Sequence, residues 1–525
     1  MTEATHLRDV HAEARLKIDE EILLLTRRLL VLRSTRNTLA PISRLPPETM
    51  CAIFHQCTQG NILPGCTSVN LTISSVSRRW RDIALSLSPL WTTIKFAHPE
   101  GIQTFSVRAK NLPLTISLDF DYSPKHVAVI PYLLDLLPRT RSLNIDAYGE
   151  KDTDNGLRFP ERDEWANAAP FLETLVLNGV PLPSPLFSGI PTRIEYLDLS
   201  YCQFTLNSFS FFEALTTLII SRPDTLVSAS DVLQALRQAP NVEYIDLCAA
   251  LSSPETFITA SPVQLPTLSR IFIVEQAQGP LPYFLDQLDL PKYIKVDLDF
   301  ESTSLLEDLV VLRRIVECFR LSSEGFTGFR IVIFSDSFTL QLNKDGQTKV
   351  DICFNASFPG EDYIVDLLEP LQETISNIES LDLAGYGDFL SLTDIFEKFS
   401  GFSSLTFLTV DSNFATPFFT YIAQQVQLMD REDGLDADEV AFPRLCELTF
   451  RGAFPTFPGD LFPLLNHWLR RRMELGYGLS ILAFVHCPSV NGEVVARWGL
   501  EEYVEEVTIR DRPTMGVAAL NLRPE

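Results

Sequence analysis

A short pattern of three apolar residues, separated by two positions and then by one, returns along most of the chain. It reads Leu172, Leu175, Leu177 in "LETLVL"; Ile194, Leu197, Leu199 in "IEYLDL"; Leu215, Leu218, Ile220 in "LTTLII"; Val242, Ile245, Leu247 in "VEYIDL"; and Leu268, Ile271, Ile273 in "LSRIFI". It comes back as Ile378, Leu381, Leu383, as Leu405, Leu408, Val410 and as Leu445, Leu448, Phe450. The middle residues of the first five lie 22, 21, 27 and 26 residues apart. Few architectures accept such a pattern. Alternation at the end of each triplet describes a short strand with one buried face. The regular return describes strands stacked parallel, each joined to the next by a loop or helix, over one continuous apolar core.

Triplets at those periods resemble leucine-rich repeats. The best single match is "IEYLDLSYCQF", where Cys202 and Phe204 also fall where the repeat expects Asn or Cys and then an apolar residue. The expected fold class is therefore α/β: an irregular leucine-rich-repeat solenoid over residues 96–525, with a parallel sheet on its concave face and a C-terminal cap. Between Ile273 and Ile378 the pattern lapses. There "YIKVDLDF" and "FRIVIFSDSFTLQLNKDGQTKVDICF" read as strands, the second a hairpin turning near Asp345 and Gly346. "SLLEDLVVLRRIVECF" reads as an amphipathic helix with Ser304 as its cap. Longer repeats or an insertion would both account for this stretch, and longer repeats are the preferred reading. "DREDGLDADE", residues 430–439, reads as a solvated acidic loop, and "LGYGLSILAFVHC" with "EEYVEEVTIRD" as the closing repeat.

If strand residues alternate, those between the buried anchors face outward on the concave side. Tyr196 and Tyr244 then share one column, Asp198, Asp246 and Asp382 the next, with Arg270 beside Phe272 further along. Tyr and Arg are enriched at interfaces, and a row of Asp suits a basic or amide-bearing partner. The alternative is a merely solvated sheet face.

The N-terminal part is organised otherwise. Residues 1–40 read as an amphipathic helix whose seam, Ile18, Ile22, Leu25, Leu29, Leu32 and Leu39, is broken by Arg36. The seam can pair two copies as a short coiled coil or pack on the following domain, and packing within the chain is preferred. At Pro46 and Pro47 a new helix should start, because proline presets φ and lacks an N–H that would be orphaned there. Met50, Ile53, Phe54 and Cys57 line one face of it. In "SSVSRRWRDIALSLSPLW", Val76, Trp80, Ile83, Ala84 and Leu87 share a face until Pro89 stops the helix, and Leu90 and Trp91 begin a terminal turn. Residues 41–95 are few for an independent core, so their Leu, Phe and Trp must be buried elsewhere in the chain or on a partner.

The ordered set Leu45-Pro46-Pro47-Glu48, Ile53-Phe54, Val76, Arg79-Trp80-Arg81 and Leu90-Trp91 resembles an F-box, over about a tenth of the chain. The F-box is the module that docks substrate receptors onto the Skp adaptor of cullin-based ubiquitin ligases. With the preceding Leu- and Arg-rich helix, the chain is similar to F-box proteins common in mushroom-forming fungi. The resemblance implies that Leu45, Pro46, Pro47, Ile53 and Phe54 meet the adaptor. It implies that Val76 and Trp80 serve the core and contact edge, and that Leu90 and Trp91 close the module. Ser77 stands where the family commonly has Cys, and Thr49 and Met50 replace its usual aliphatic pair.

Charge narrows the function classes. With 43 Lys and Arg against 68 Asp and Glu, a net charge of −25 repels a phosphate backbone, and no basic run offsets it. Nine scattered cysteines read as free buried thiols of a reducing compartment, and no ligand spacing suggests a metal or cofactor. The N-terminus lacks a signal-peptide core and no apolar run approaches the ~20 residues of a membrane span, so an intracellular, cytoplasmic or nuclear, location is expected. "NLT" at Asn70 and "NAS" at Asn355 match the glycosylation pattern by chance on that reading. No phosphate loop, dinucleotide fingerprint, metalloprotease helix or nucleophile elbow is found. His486-Cys487 is the one adjacent base and nucleophile, and its apolar setting suits a core pair. The expectation is thus a non-enzymatic substrate receptor, binding the Skp adaptor and through it a cullin, and holding a protein substrate. The runner-up is a scaffold with a degenerate F-box, and a hydrolase on an irregular α/β fold comes third.

Overall fold

The structure, a computed structural model, describes residues 2–59, 69–95, 98–120, 128–147, 169–180, 182, 193–206, 212–253, 261–276, 279–291, 294–301, 304–355, 361–385, 393–430, 440–452 and 461–510. The acidic stretch 431–439 lies outside them. The chain divides into two compact units, Met1–Ile194 and Glu195–Glu525.

The first unit opens with one long helix, α1 (Thr2–Leu39), then a 3-10 turn, Pro41–Arg44. α1 does not pack its seam within the chain. Ile18, Ile22, Leu25, Leu29 and Leu32 are each between 47% and 61% exposed, against the preferred expectation. Next, α2 (Pro47–Gln59) starts at the second proline of the pair. The following stretch, read as one helix, is two: α3 (Val69–Val76) and α4 (Arg78–Ser86). Ser77 interrupts them because its extended backbone, φ −157°, lets its Oγ accept from the Trp80 N–H at 3.2 Å as the α4 N-cap.

Met50, Phe54, Ile73, Ile83, Ala84, Leu90 and Trp91 form the core of these helices. Two polar groups are satisfied inside it. Asn70 Nδ2 donates to the Leu90 carbonyl at 2.6 Å, and Trp91 Nε1 to the Ala84 carbonyl at 2.8 Å. The helices continue directly into a parallel sheet in the order β1 (Thr93–Ile94), β2 (Leu114–Phe120), β3 (Thr140–Ala147), β4 (Thr174–Asn178). Between its strands lie α5 (Pro99–Arg108) and α6 (Ile130–Leu136). Trp91 meets Phe105 of α5 edge to face at 4.9 Å, and Arg108 stands over the Trp91 ring at 4.3 Å.

In the second unit, β5 (Tyr196–Ser200), β6 (Thr217–Ser221), β7 (Tyr244–Cys248), β8 (Arg270–Gln276) and β9 (Lys295–Glu301) lie parallel in chain order. Leu197, Leu218, Ile245, Ile271 and Val296 stand directly opposite one another along this run. Every apolar anchor of the recurring triplets is buried, none more than 3% exposed. α7 (Ala229–Arg237), α8 (Pro280–Asp286) and α9 (Leu305–Cys318) connect successive strands. Ser304 occupies the N-cap position of α9, but its side chain makes no cap hydrogen bond.

A repeated turn ends the strands. Tyr201, Arg222, Ala249 and His486 follow their strands with φ of 51°, 43°, 43° and 55°. The N–H of each of the first three bonds a carbonyl of the neighbouring strand: Tyr201 to Ser221 at 2.8 Å, Arg222 to Cys248 at 2.7 Å and Ala249 to Val274 at 2.7 Å. Non-glycine residues occupy this left-handed region, so composition gave no sign of it.

The sheet then departs from simple succession. β10 (Gly328–Ile333), β11 (Ser337–Lys344) and β12 (Gln347–Asn355) form an antiparallel meander. Its last strand, β12, pairs with β9, and its first, β10, pairs with β13 (Ser380–Gly385). The preferred reading of longer repeats is therefore replaced by an inserted meander. Asp345 and Gly346, with φ of 52° and 72°, make the two-residue turn expected between β11 and β12, too tight for parallel pairing. After α10 (Glu361–Leu367) and β13, parallel succession resumes with α11 (Thr393–Ser400), β14 (Phe407–Asp411) and α12 (Ser412–Met429). Among the described residues it ends with β15 (Glu447–Arg451), α13 (Leu461–Glu474), β16 (Leu479–Val485), α14 (Gly492–Trp498) and β17 (Val504–Arg510), which pairs with β16.

Candidate functional site

Two regions carry the predicted residues. In the helical module the structure separates core from surface. Phe54 is fully buried, its ring 5.0 Å from that of Trp80, and Leu90 and Trp91 are buried with it. Phe54 was expected to meet a partner; its side chain instead faces inward, because a helix of this pitch turns Met50 and Phe54 to the same side. Ile53, one residue away, is 36% exposed, and Val76 is 52% exposed once Ser77 has broken its helix. Pro46 and Pro47 are exposed, while Leu45 and Trp80 are half-buried. Arg79 donates to the carbonyls of Ser43 and, at 2.5 Å, Leu45. These bonds fasten the segment before α2 to α4 and hold the Leu45-Pro46-Pro47 turn in place.

On the sheet of the second unit, strand register builds a row. Asp198, Ile219, Asp246, Phe272, Asp297, Asp351, Gln341, Arg330, Asp382, Thr409 and Thr449 stand opposite one another in turn. Tyr196, Thr217, Tyr244, Arg270 and Lys295 form the adjacent row. Tyr196, Asp198, Tyr244, Asp246, Arg270 and Phe272 are thus brought together on the β5 to β8 side. Asp382 is not among them. Five strands separate it from Asp246, roughly 29 Å at the usual strand spacing.

Side chains along this row are interlinked. Tyr244 donates its hydroxyl to Asp246 at 3.0 Å, and Arg270 lies over the Tyr244 ring at 5.6 Å. Burial first, then the Asp246 charge, pushes the Tyr244 hydroxyl up to about 12. Burial, with the Asp198 charge second, also raises Tyr196. Arg270 meanwhile pairs with Asp297 at 2.6 Å, and Lys295 holds the other oxygen of that carboxylate at 3.3 Å. Gln341 donates to Asp351 at 3.1 Å. Asp351 and Asp198 both have carboxyls raised by burial, with the charges of Asp297 and Asp246 adding to it.

The sequence reading named Arg270 but missed its partner Asp297, together with Asp351 and Lys295. A signal for them exists. Leu197-Asp198-Leu199, Ile245-Asp246-Leu247, Val296-Asp297-Leu298, Val350-Asp351-Ile352 and Leu381-Asp382-Leu383 all set one Asp between two buried aliphatics. Alternation within a strand then sends each Asp to the same face.

Three thiols, Cys318, Cys353 and Cys487, are poorly suited to nucleophilic work. Cys487 is buried and pushed up to about 11 by burial, and Cys318 and Cys353 rise to about 12 and 11 for the same reason. Among the described residues no group of three or more His, Cys, Asp and Glu side chains is placed to hold a metal ion. No described helix is long and apolar enough to cross a membrane. No family model matches the chain, and no curated protein matches it.

Proposed function

We propose that this chain is the substrate-recognition subunit of a cullin-based ubiquitin ligase, with residues 41–95 as an F-box that binds the Skp adaptor. The second unit, on this reading, is an irregular leucine-rich-repeat solenoid that holds a protein substrate. One observation carries the proposal most: Ile53 and Val76 stay exposed on a helical module whose own core, around Phe54, Trp80 and Trp91, is already complete. Exposed aliphatics beside the proline turn that Arg79 holds are what a docking module needs. On the substrate side, the Tyr and Asp rows of β5 to β8 offer acceptors and aromatic area to a basic, amide-bearing segment. The chain itself would do no bond chemistry; it would raise the local concentration of substrate at the ligase.

Co-purification with the host's Skp adaptor tests this. The intact chain should bind, and Ile53→Glu with Val76→Glu should not, while circular dichroism shows both folded alike. An intact chain that fails to bind, or a double variant that binds as well, would overturn the ligase reading and leave a protein-binding scaffold.

A further inference from the structure

We propose that α1 pairs with α1 of a second copy of this chain, antiparallel, to make a dimer. This rests on α1 alone and is independent of any ligase role. Ile18, Ile22, Leu25, Leu29 and Leu32 follow the alternating spacing of four and three that makes one continuous seam. All five are about half exposed. Leu30, Arg33, Ser34 and Asn37, off the seam, border a cleft shared with Ser75 and Arg78, and none of the five seam residues lines it. An uncovered seam of this length is unfavourable in water, since a lone apolar helix face gains its stability from packing.

Charge selects both the occupant and its direction. From Glu13 to Glu21 the helix carries Glu13, Asp19, Glu20 and Glu21 against Arg15 and Lys17; beyond Ile22 its charged residues are Arg27, Arg28, Arg33 and Arg36. Parallel, in-register pairing would set Arg36 against Arg36 in the seam and Arg28 beside Arg33 at its edge. Antiparallel pairing, with Ile22 facing Leu25 of the second copy and Ile18 facing its Leu29, sets Glu21 beside Arg28 twice over. A helix that is net acidic before Ile22 and basic beyond it is its own complement when reversed, and the Glu21 and Arg28 pairs supply that complement at the seam's edge.

Sedimentation equilibrium of the full chain tests the pairing. The intact protein should be a dimer, and Leu25→Lys with Leu29→Lys a monomer with an unchanged urea midpoint, because neither side chain touches the folded core. Arg28→Glu separates the directions. It should weaken an antiparallel dimer roughly tenfold by opposing Glu21, whereas in a parallel one it would relieve the clash with Arg33 and tighten it. Adding Glu21→Arg to Arg28→Glu should restore the dimer. An intact chain that is monomeric, tightening by Arg28→Glu, or no rescue by the second change would each overturn the proposal.

Discussion

Arg451 reaches from β15 past β14 to Asp382 on β13, its Nη1 and Nη2 lying 3.1 and 2.6 Å from the two carboxylate oxygens. Arg330 approaches the same carboxylate from the other neighbouring strand at 3.3 Å. Asp382 is therefore a brace between strands on either side of the inserted meander's junction, neutralised from within. A double-mutant cycle of Arg451→Met and Asp382→Asn should give a coupling of about 1 kcal/mol in urea unfolding, the scale of a partly exposed bidentate pair. Additive single effects would remove the brace from consideration.

The carboxyls of Asp198, Asp299 and Asp351 all lie above their ordinary value, burial being the first cause in each. The folded state then holds those protons more tightly than the unfolded chain does. Their contribution to stability is complete below the ordinary carboxylate range and is lost as pH rises through the folded values. The urea midpoint of Asp351→Asn should accordingly fall less steeply than that of the intact chain over this window. Equal slopes would mean that Asp351 titrates as it does in the unfolded chain.

Adjacent residues of α2 should differ sharply. Phe54→Ala empties a fully buried site against Trp80 and should cost about 3–4 kcal/mol in denaturant unfolding. Ile53→Ala, at a partly exposed position, should cost about 1 kcal/mol or less. Comparable losses would mean that Ile53 is covered within the chain.

Arg472 of α13 is wholly buried and pairs with no carboxylate among the described residues. Its guanidinium donates to the carbonyls of Ala441 and, at 2.9 Å, Phe442, and stacks over Trp468 at 4.8 Å. Burial pulls it down to about 10. Arg472→Leu leaves those carbonyls without their donor and should cost about 2–3 kcal/mol, read as a shift in urea midpoint. A neutral outcome would mean that apolar packing alone holds the segment before β15.

Thiol labelling offers a map of burial. With the native protein and iodoacetamide, mass spectrometry should find Cys57 and Cys446, both exposed, modified first. Cys487 and Cys318 should react only on unfolding, because burial keeps both thiols protonated. Early labelling of Cys487 would place it in an accessible strand end.

Much of the fold was legible because it depends on periodicity. Triplets such as Ile245 and Leu247 had to face one way in a strand, and every such anchor is buried. The proline start of α2 and the Asp345-Gly346 turn were readable for a similar reason, since both are local backbone preferences. The break at Ser77 was not, because Val76, Trp80 and Ile83 satisfy helical spacing whether or not a serine cap intervenes. Nor was the separation of Asp382 from Asp246: both sit in the same local pattern, and only the order of strands puts the meander between them.

Sequence by itself determined which residues of the recurring strands are buried, because that choice is made by alternation along a single strand. Tertiary structure alone decided which strands are neighbours, that Phe54 rather than Ile53 is enclosed, and that the seam of α1 is left uncovered. Those outcomes depend on contacts between segments far apart in the chain, where many arrangements bury the same apolar faces and small differences in packing select one.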